Sequence, residues 1–155
     1  MEDAQRMAAK TLSSTEYIEA WKKLVKPIAK AKFLEWAESS DPIPIFYEMS
    51  TLVMTLVVNI VLGPEFAQEY GEEIVPMIQA YEQALQKPQT KVFPRWMSNE
   101  GKTMEYVEAR FTQLIGQEIT KRLADPKKFR NNKDYFQALL NTLGGEHVER
   151  TSLQW

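Results

Sequence analysis

Apolar residues recur at intervals of three and four along most of the chain, and prolines and glycines cut the recurrences into segments. Residues 2–12 can form a short first helix. Ser13, Ser14, Thr15 and Glu16 offer caps for a second, with Tyr17, Trp21, Leu24, Val25 and Ile28 on one stripe. Pro27 interrupts that stripe. It is either a kink or the first-turn proline of a further helix reaching Trp36. Residues 39–44 carry Pro42 and Pro44 and read as a loop. The next helix, over about 45–62, is apolar nearly all round and is expected to be buried and central. Gly63 and Pro64 stop it.

A helix over about 66–86 follows, with Ile74, Met77, Ile78, Tyr81 and Leu85 inward and Pro76 bending or splitting it. Residues 87–99 read as irregular, yet Phe93, Trp96 and Met97 give them a heavy apolar load. The clearest amphipathic helix covers about 101–124. Met104, Val107, Phe111, Leu114, Ile115 and Ile119 recur there at three and four. Asp125-Pro126 ends it. A short helix with Tyr135, Phe136, Leu139 and Leu140 closes at Gly144-Gly145. The tail from about residue 145 is patternless. No strand alternation stands out, so the pattern predicts one all-α domain over residues 1–155, a helical bundle.

Composition narrows the function classes. A chain of 155 residues can bury a core of ordinary size. The net charge of −2 makes no electrostatic case for nucleic acid or an anionic membrane surface. Zero cysteines excludes disulfides, thiolate metal sites and a cysteine nucleophile. The N-terminus lacks the basic region and apolar core of a secretory signal, and Leu52–Leu62 is about half of the ~20 residues a spanning helix needs. A cytoplasmic protein without a membrane span is expected.

The order of segments resembles part of a family. Phe33-Leu34-Glu35-Trp36, then residues 41–50 with Phe46, Glu48, Met49 and Ser50, then residues 58–66 ending Leu62-Gly63-Pro64-Glu65-Phe66, is similar to helices D and E of fungal cytochrome P-450 enzymes. Phe93-Pro94-Arg95-Trp96 looks like the connection between that family's helices F and G. Residues 101–124 would then be its helix G, and 134–143 its helix H. The resemblance covers about residues 15–143. It implies a P-450-like helical layout, rearranged or dimeric. Gln5-Arg6 falls where the family's helix C would meet a haem propionate. The long helix I, the Glu-x-x-Arg motif and the cysteine-ligand loop have no counterpart here. Haem-thiolate chemistry is therefore not expected, and no cofactor or metal is. What the resemblance carries over is the roof of a substrate cavity, which the family builds from helices F and G.

Other chemistry is thin. His147 lies near Glu146 and Glu149, but one histidine in a tail reads as an ordinary exposed residue. Glu65, Glu69, Glu72 and Glu73 read as a solvated, dipole-favoured face, and Lys121, Arg122, Lys127 and Lys128 as cations near a helix C-terminus. Asn59 is an amide in an apolar helix, either a satisfied interhelical contact or a ligand contact. No phosphate loop, nucleophile elbow or zinc helix is present. The soft, aromatic residues are the better hint. Arg95, Tyr81 and Tyr106 are the candidate catalytic donors. Met77, Gln83, Phe93, Trp96, Met97 and Asn59 are candidates for binding an apolar small-molecule substrate. The expected function is a cofactor-independent cyclase of fungal secondary metabolism, with a pericyclic reaction of the Diels–Alder kind. Such a step needs a shaped pocket, and proximity can supply ~7–11 kcal/mol. The alternative is a non-catalytic module that binds a full-length monooxygenase or a hydrophobic small molecule. Apolar faces left by the missing segments are expected to pair in a homodimer.

Overall fold

The computed structural model describes residues 13–143. The expected helix over residues 2–12, Gln5-Arg6, Gly144-Gly145, Glu146, His147 and Glu149 lie outside them. The described residues are helical and contain no strand. In chain order the helices are α1 (Thr15–Glu38), α2 (Ile45–Leu62), α3 (Pro64–Gln86), α4 (Gln89–Val92), a 3-10 turn (Arg95–Met97), α5 (Asn99–Ala124), α6 (Pro126–Phe129) and α7 (Tyr135–Leu143). Two compact units are formed. Among the described residues, one holds residues 13–67 and 127–143, the other residues 68–126.

In the first unit α2 packs against both α1 and α7. Neither Pro27 in α1 nor Pro76 in α3 ends its helix. The shared core is aromatic. Tyr17 and Ala138 are buried, with Trp21 and Tyr135 packed against them. Tyr17 and Trp21 meet edge to face, ring centroids 6.2 Å apart. The Trp21 indole N–H donates to the Lys133 carbonyl at 2.8 Å, which ties α1 to the loop before α7. Asp134 starts α7 by accepting the Gln137 N–H at 2.8 Å, a side-chain N-cap. At the other end of α1, Glu48 of α2 receives Lys32 at 2.8 Å and the Trp36 indole N–H at 3.3 Å. Gly63 closes α2 with φ 94°, a conformation open to glycine, and Pro64 begins α3 at once.

The expectation that residues 45–62 form a buried central helix needs correction. Leu52, Val58, Asn59 and Leu62 are buried, but Ile45, Phe46, Tyr47, Met49, Val53 and Val57 are exposed. Among the described residues α1 and α7 pack on α2, and these apolar side chains of α2 remain exposed.

In the second unit α5 packs on the 3-10 turn and on α4. The span 87–99, expected to be irregular, is thus two short helical turns seated on α5. Ser98 caps α5 by accepting the Gly101 N–H at 2.9 Å. Side chains join α3 and α5 in antiparallel order. Glu69 pairs with Lys121 at 3.0 Å, Glu73 with Arg110 through two hydrogen bonds of 2.5 and 2.9 Å, and Tyr81 with Glu108. Glu69 and Glu73 on the acidic face of α3 are therefore partnered rather than only solvated, while Glu72 is exposed. In the first unit Glu65 lies 3.4 Å from Lys128. Met104, Val107 and Leu114 of α5 are buried, and so are Glu118 and Arg122, which bond to each other at 2.6 Å.

Candidate functional site

Two candidate catalytic residues converge on a carboxylate that pattern reading missed. The Tyr81 hydroxyl donates to Glu108 Oε1 at 2.8 Å. The Arg95 guanidinium donates through Nη1 to Glu108 Oε2 at 2.6 Å. Tyr81 comes from the last turns of α3, Arg95 from the 3-10 turn and Glu108 from α5. The turn can reach Glu108 because Pro94 and Ser98, both extended, bracket three residues that fold back on the start of α5. Gly101 has no side chain where the Arg95 backbone passes.

The charges follow from these contacts. Hydrogen bonds from Tyr81 and Arg95 hold the Glu108 carboxyl below the usual carboxylate range. The same carboxylate pushes the Tyr81 hydroxyl up and, through its hydrogen bond, keeps Arg95 charged. At neutral pH the cluster is one carboxylate, one phenol and one guanidinium. The phenol proton is committed to Glu108. The guanidinium has five N–H donors and is half-exposed, so it can also meet an outside acceptor.

The remaining candidates scatter. Phe93, Trp96 and Met97 flank Arg95 and are exposed, Trp96 by 67%. Tyr106, on α5, is exposed as well, and no contact brings it to Glu108. Gln83 is exposed and Met77 half-buried on α3. Phe93, Trp96 and Met97 make an exposed, partly aromatic stretch of chain beside the Arg95 cation.

Asn59 lies in the other unit. Its amide nitrogen donates to the Thr55 carbonyl at 2.8 Å, one turn back in its own helix, so the contact is not interhelical. Asn59 also lines a half-open cavity of about 310 Å³ with Trp21, Leu24, Pro64, Glu65 and Asp134. Among the described residues no group of three His, Cys, Asp or Glu side chains could hold a metal ion.

Glu108 escaped pattern reading for a simple reason. A glutamate on the polar side of an amphipathic helix looks solvated until a partner 27 positions away is known.

Comparison with known proteins supports the resemblance. The chain is 23% identical over 133 residues to cytochrome P450 monooxygenase pyvB of Aspergillus violaceofuscus, covering 85% of this chain and 27% of that protein. It is 21% identical over 116 residues to cytochrome P450 monooxygenase pynD of Aspergillus niger, covering 74% and 24%. The chain thus spans about a quarter of the length of these relatives. No family model and no solved structure matches. The chain is similar to a segment of these P450 monooxygenases, and its described residues are all-helical.

Proposed function

We propose that this P-450-like segment is a binding module whose bare apolar face docks on a second copy of itself. The observation that carries the reading is the outward face of α2. Phe46, Met49, Val53 and Val57 stand at i, i+3, i+7 and i+11, all exposed, Phe46 by 89%. That spacing puts them in one stripe ~16 Å long, close to the seam two helices use when they pack side by side. Soluble monomers rarely leave such a stripe in water. A symmetric pair buries it with the same stripe of its twin, the commonest closed arrangement. Packing the charge of Glu48 against Lys32 and Trp36 of α1 leaves the stripe free of charged residues. α2 is also, among the described residues, the one helix long and apolar enough to cross a membrane by length and composition. A soluble pair in the cytosol is the reading preferred here, without nucleic acid.

Light scattering across a dilution series tests it. The mass is expected to fall from dimer to monomer on dilution. Val53→Asp and Phe46→Asp, each burying a charge in the seam, should weaken association by about 100-fold or more. A monomer mass at every concentration would overturn the proposal, as would flotation of the protein with phosphatidylcholine vesicles.

The cluster on Glu108 favours a second reading, a cofactor-free cyclisation of a bulky apolar intermediate. A pinned guanidinium beside Phe93, Trp96 and Met97 could polarise a carbonyl of a substrate held against those side chains. Tyr81, Tyr106, Met77 and Gln83 would extend the surface. Because the folded pKa of Glu108 is depressed, its hold on Arg95 is intact above the ordinary carboxylate range and lost as pH falls through the lowered value. Turnover should fall with it and should be lost in Trp96→Ala with folding intact. Retained turnover after joint removal of Tyr81, Arg95 and Trp96 would exclude this site.

A further inference from the structure

We propose that Met49 is a modification site, at which oxidation of the thioether to the sulfoxide by peroxide parts the α2 pair. The inference rests on the pairing proposed above and adds its regulation. Among the described residues Met49 and Met97 are the exposed methionines, by 39% and 55%. Met54 and Met77 are half-buried, and Met104 is buried. The chain has no cysteine, so no thiol of its own competes for the oxidant. Position separates the two exposed thioethers. Met97 lies in the 3-10 turn of the other unit. Met49 stands in the α2 stripe, one turn from Phe46 and one turn from Val53.

The step moves one oxygen atom. A lone pair on Met49 Sδ attacks hydrogen peroxide, an S–O bond forms and the O–O bond breaks. The sulfur loses two electrons, and the second peroxide oxygen leaves as water with both hydrogens. A flexible apolar side chain becomes a polar one. Its new oxygen accepts hydrogen bonds, and the stripe offers it no donor. Phe46, Val53 and Val57 carry none. The Thr51 and Thr55 hydroxyls donate to the Tyr47 and Thr51 carbonyls of their own helix, at 3.0 and 2.8 Å. In the separate chain the sulfoxide is hydrated. In a symmetric pair two such oxygens lose water together, so the cost of burying an unbonded polar group is doubled. Association and oxidation therefore oppose each other. The pair shields Met49, and the oxidised chain does not pair.

The experiment treats the whole chain with hydrogen peroxide, quenches with catalase and measures mass by light scattering across a dilution series. Peptide mass spectrometry reads the oxidation of each methionine. The dissociation constant is expected to rise about 30-fold or more once Met49 is oxidised, with helical circular dichroism unchanged. Met49→Leu, at an exposed position where folding is not at stake, should pair like the parent and stay paired through the same treatment. Met97→Leu should dissociate as the parent does. Methionine sulfoxide reductases for both epimers should restore the pair. Oxidation of Met49, unlike that of Met97, should slow as protein concentration rises through the pairing range. Pairing unmoved by complete oxidation of Met49, or dissociation by peroxide that persists in Met49→Leu, would each overturn this inference while the pair itself stands. A monomer mass before any peroxide is added would overturn the pairing, and this site with it.

Discussion

Replacing Arg122 by alanine is expected to destabilise the protein by about 3–5 kcal/mol. Arg122 and Glu118 are both buried on α5, one turn apart, and Nε of Arg122 donates to Glu118 Oε1 at 2.6 Å. Lys121 approaches the other oxygen at 3.6 Å. Both charges gave up water on folding, and the hydrogen bond between them offsets part of that cost. Alanine leaves the Glu118 carboxylate buried without its principal counter-charge. A domain of this size is stable by only about 5–15 kcal/mol, so a third or more of the total is at stake. The double variant Glu118→Leu/Arg122→Met leaves no carboxylate buried at position 118 and is expected to be more stable than Arg122→Ala. Urea unfolding followed by helical circular dichroism distinguishes the cases. If Arg122→Ala unfolds within about 1 kcal/mol of the parent, the range of an exposed pair, the pair is not buried in solution.

Gly101→Ala is expected to destabilise by about 1–3 kcal/mol, although alanine ordinarily favours a helix by about 1 kcal/mol over glycine. A Cβ at this position would fall inside contact distance of the Arg95 carbonyl and Cα. The obstruction is backbone, so no side chain can rotate out of the way. The 3-10 turn would have to lift from α5 and draw Arg95 off Glu108. The control lies on the same helix. Gly116 has no neighbour within 4 Å of its would-be Cβ, so Gly116→Ala should stabilise by about 0.5–1 kcal/mol. Opposite signs from one substitution type on one helix would show that close approach of the turn, not helix propensity, governs Gly101. Stabilisation by both variants would mean that the turn does not sit on α5 as described. The indole signal of Trp96, next to Arg95, should move in Gly101→Ala and stay in Gly116→Ala.

The helices were readable because their causes are local. Gly63-Pro64 between two apolar segments and Asp125-Pro126 after an amphipathic run each announce an end or a start within one turn. α2 shows where that reasoning stops. Its composition placed it at the centre, yet burial depends on how many neighbours surround a helix, and α1 and α7 cover only part of it. Residues 87–99 looked unstructured because two prolines break the period. The short helix and the 3-10 turn there take their place on α5.

The candidate site was half legible. Arg95 and Tyr81 were picked for their chemistry and do share a partner, but that partner, Glu108, sits on a helix face that resembles any solvated one. Tyr106, chosen by the same logic, points to water. The sequence by itself determined the helical class, the P-450-like order of segments and the absence of a thiolate, because these depend on periodicity, on residues in order and on composition. Only the tertiary structure decided which side of α2 stays bare, which carboxylate collects Tyr81 and Arg95, and that Asn59 and Trp21 face one cavity. Those outcomes depend on residues 13 to 112 positions apart meeting in space, and no local pattern encodes such a meeting.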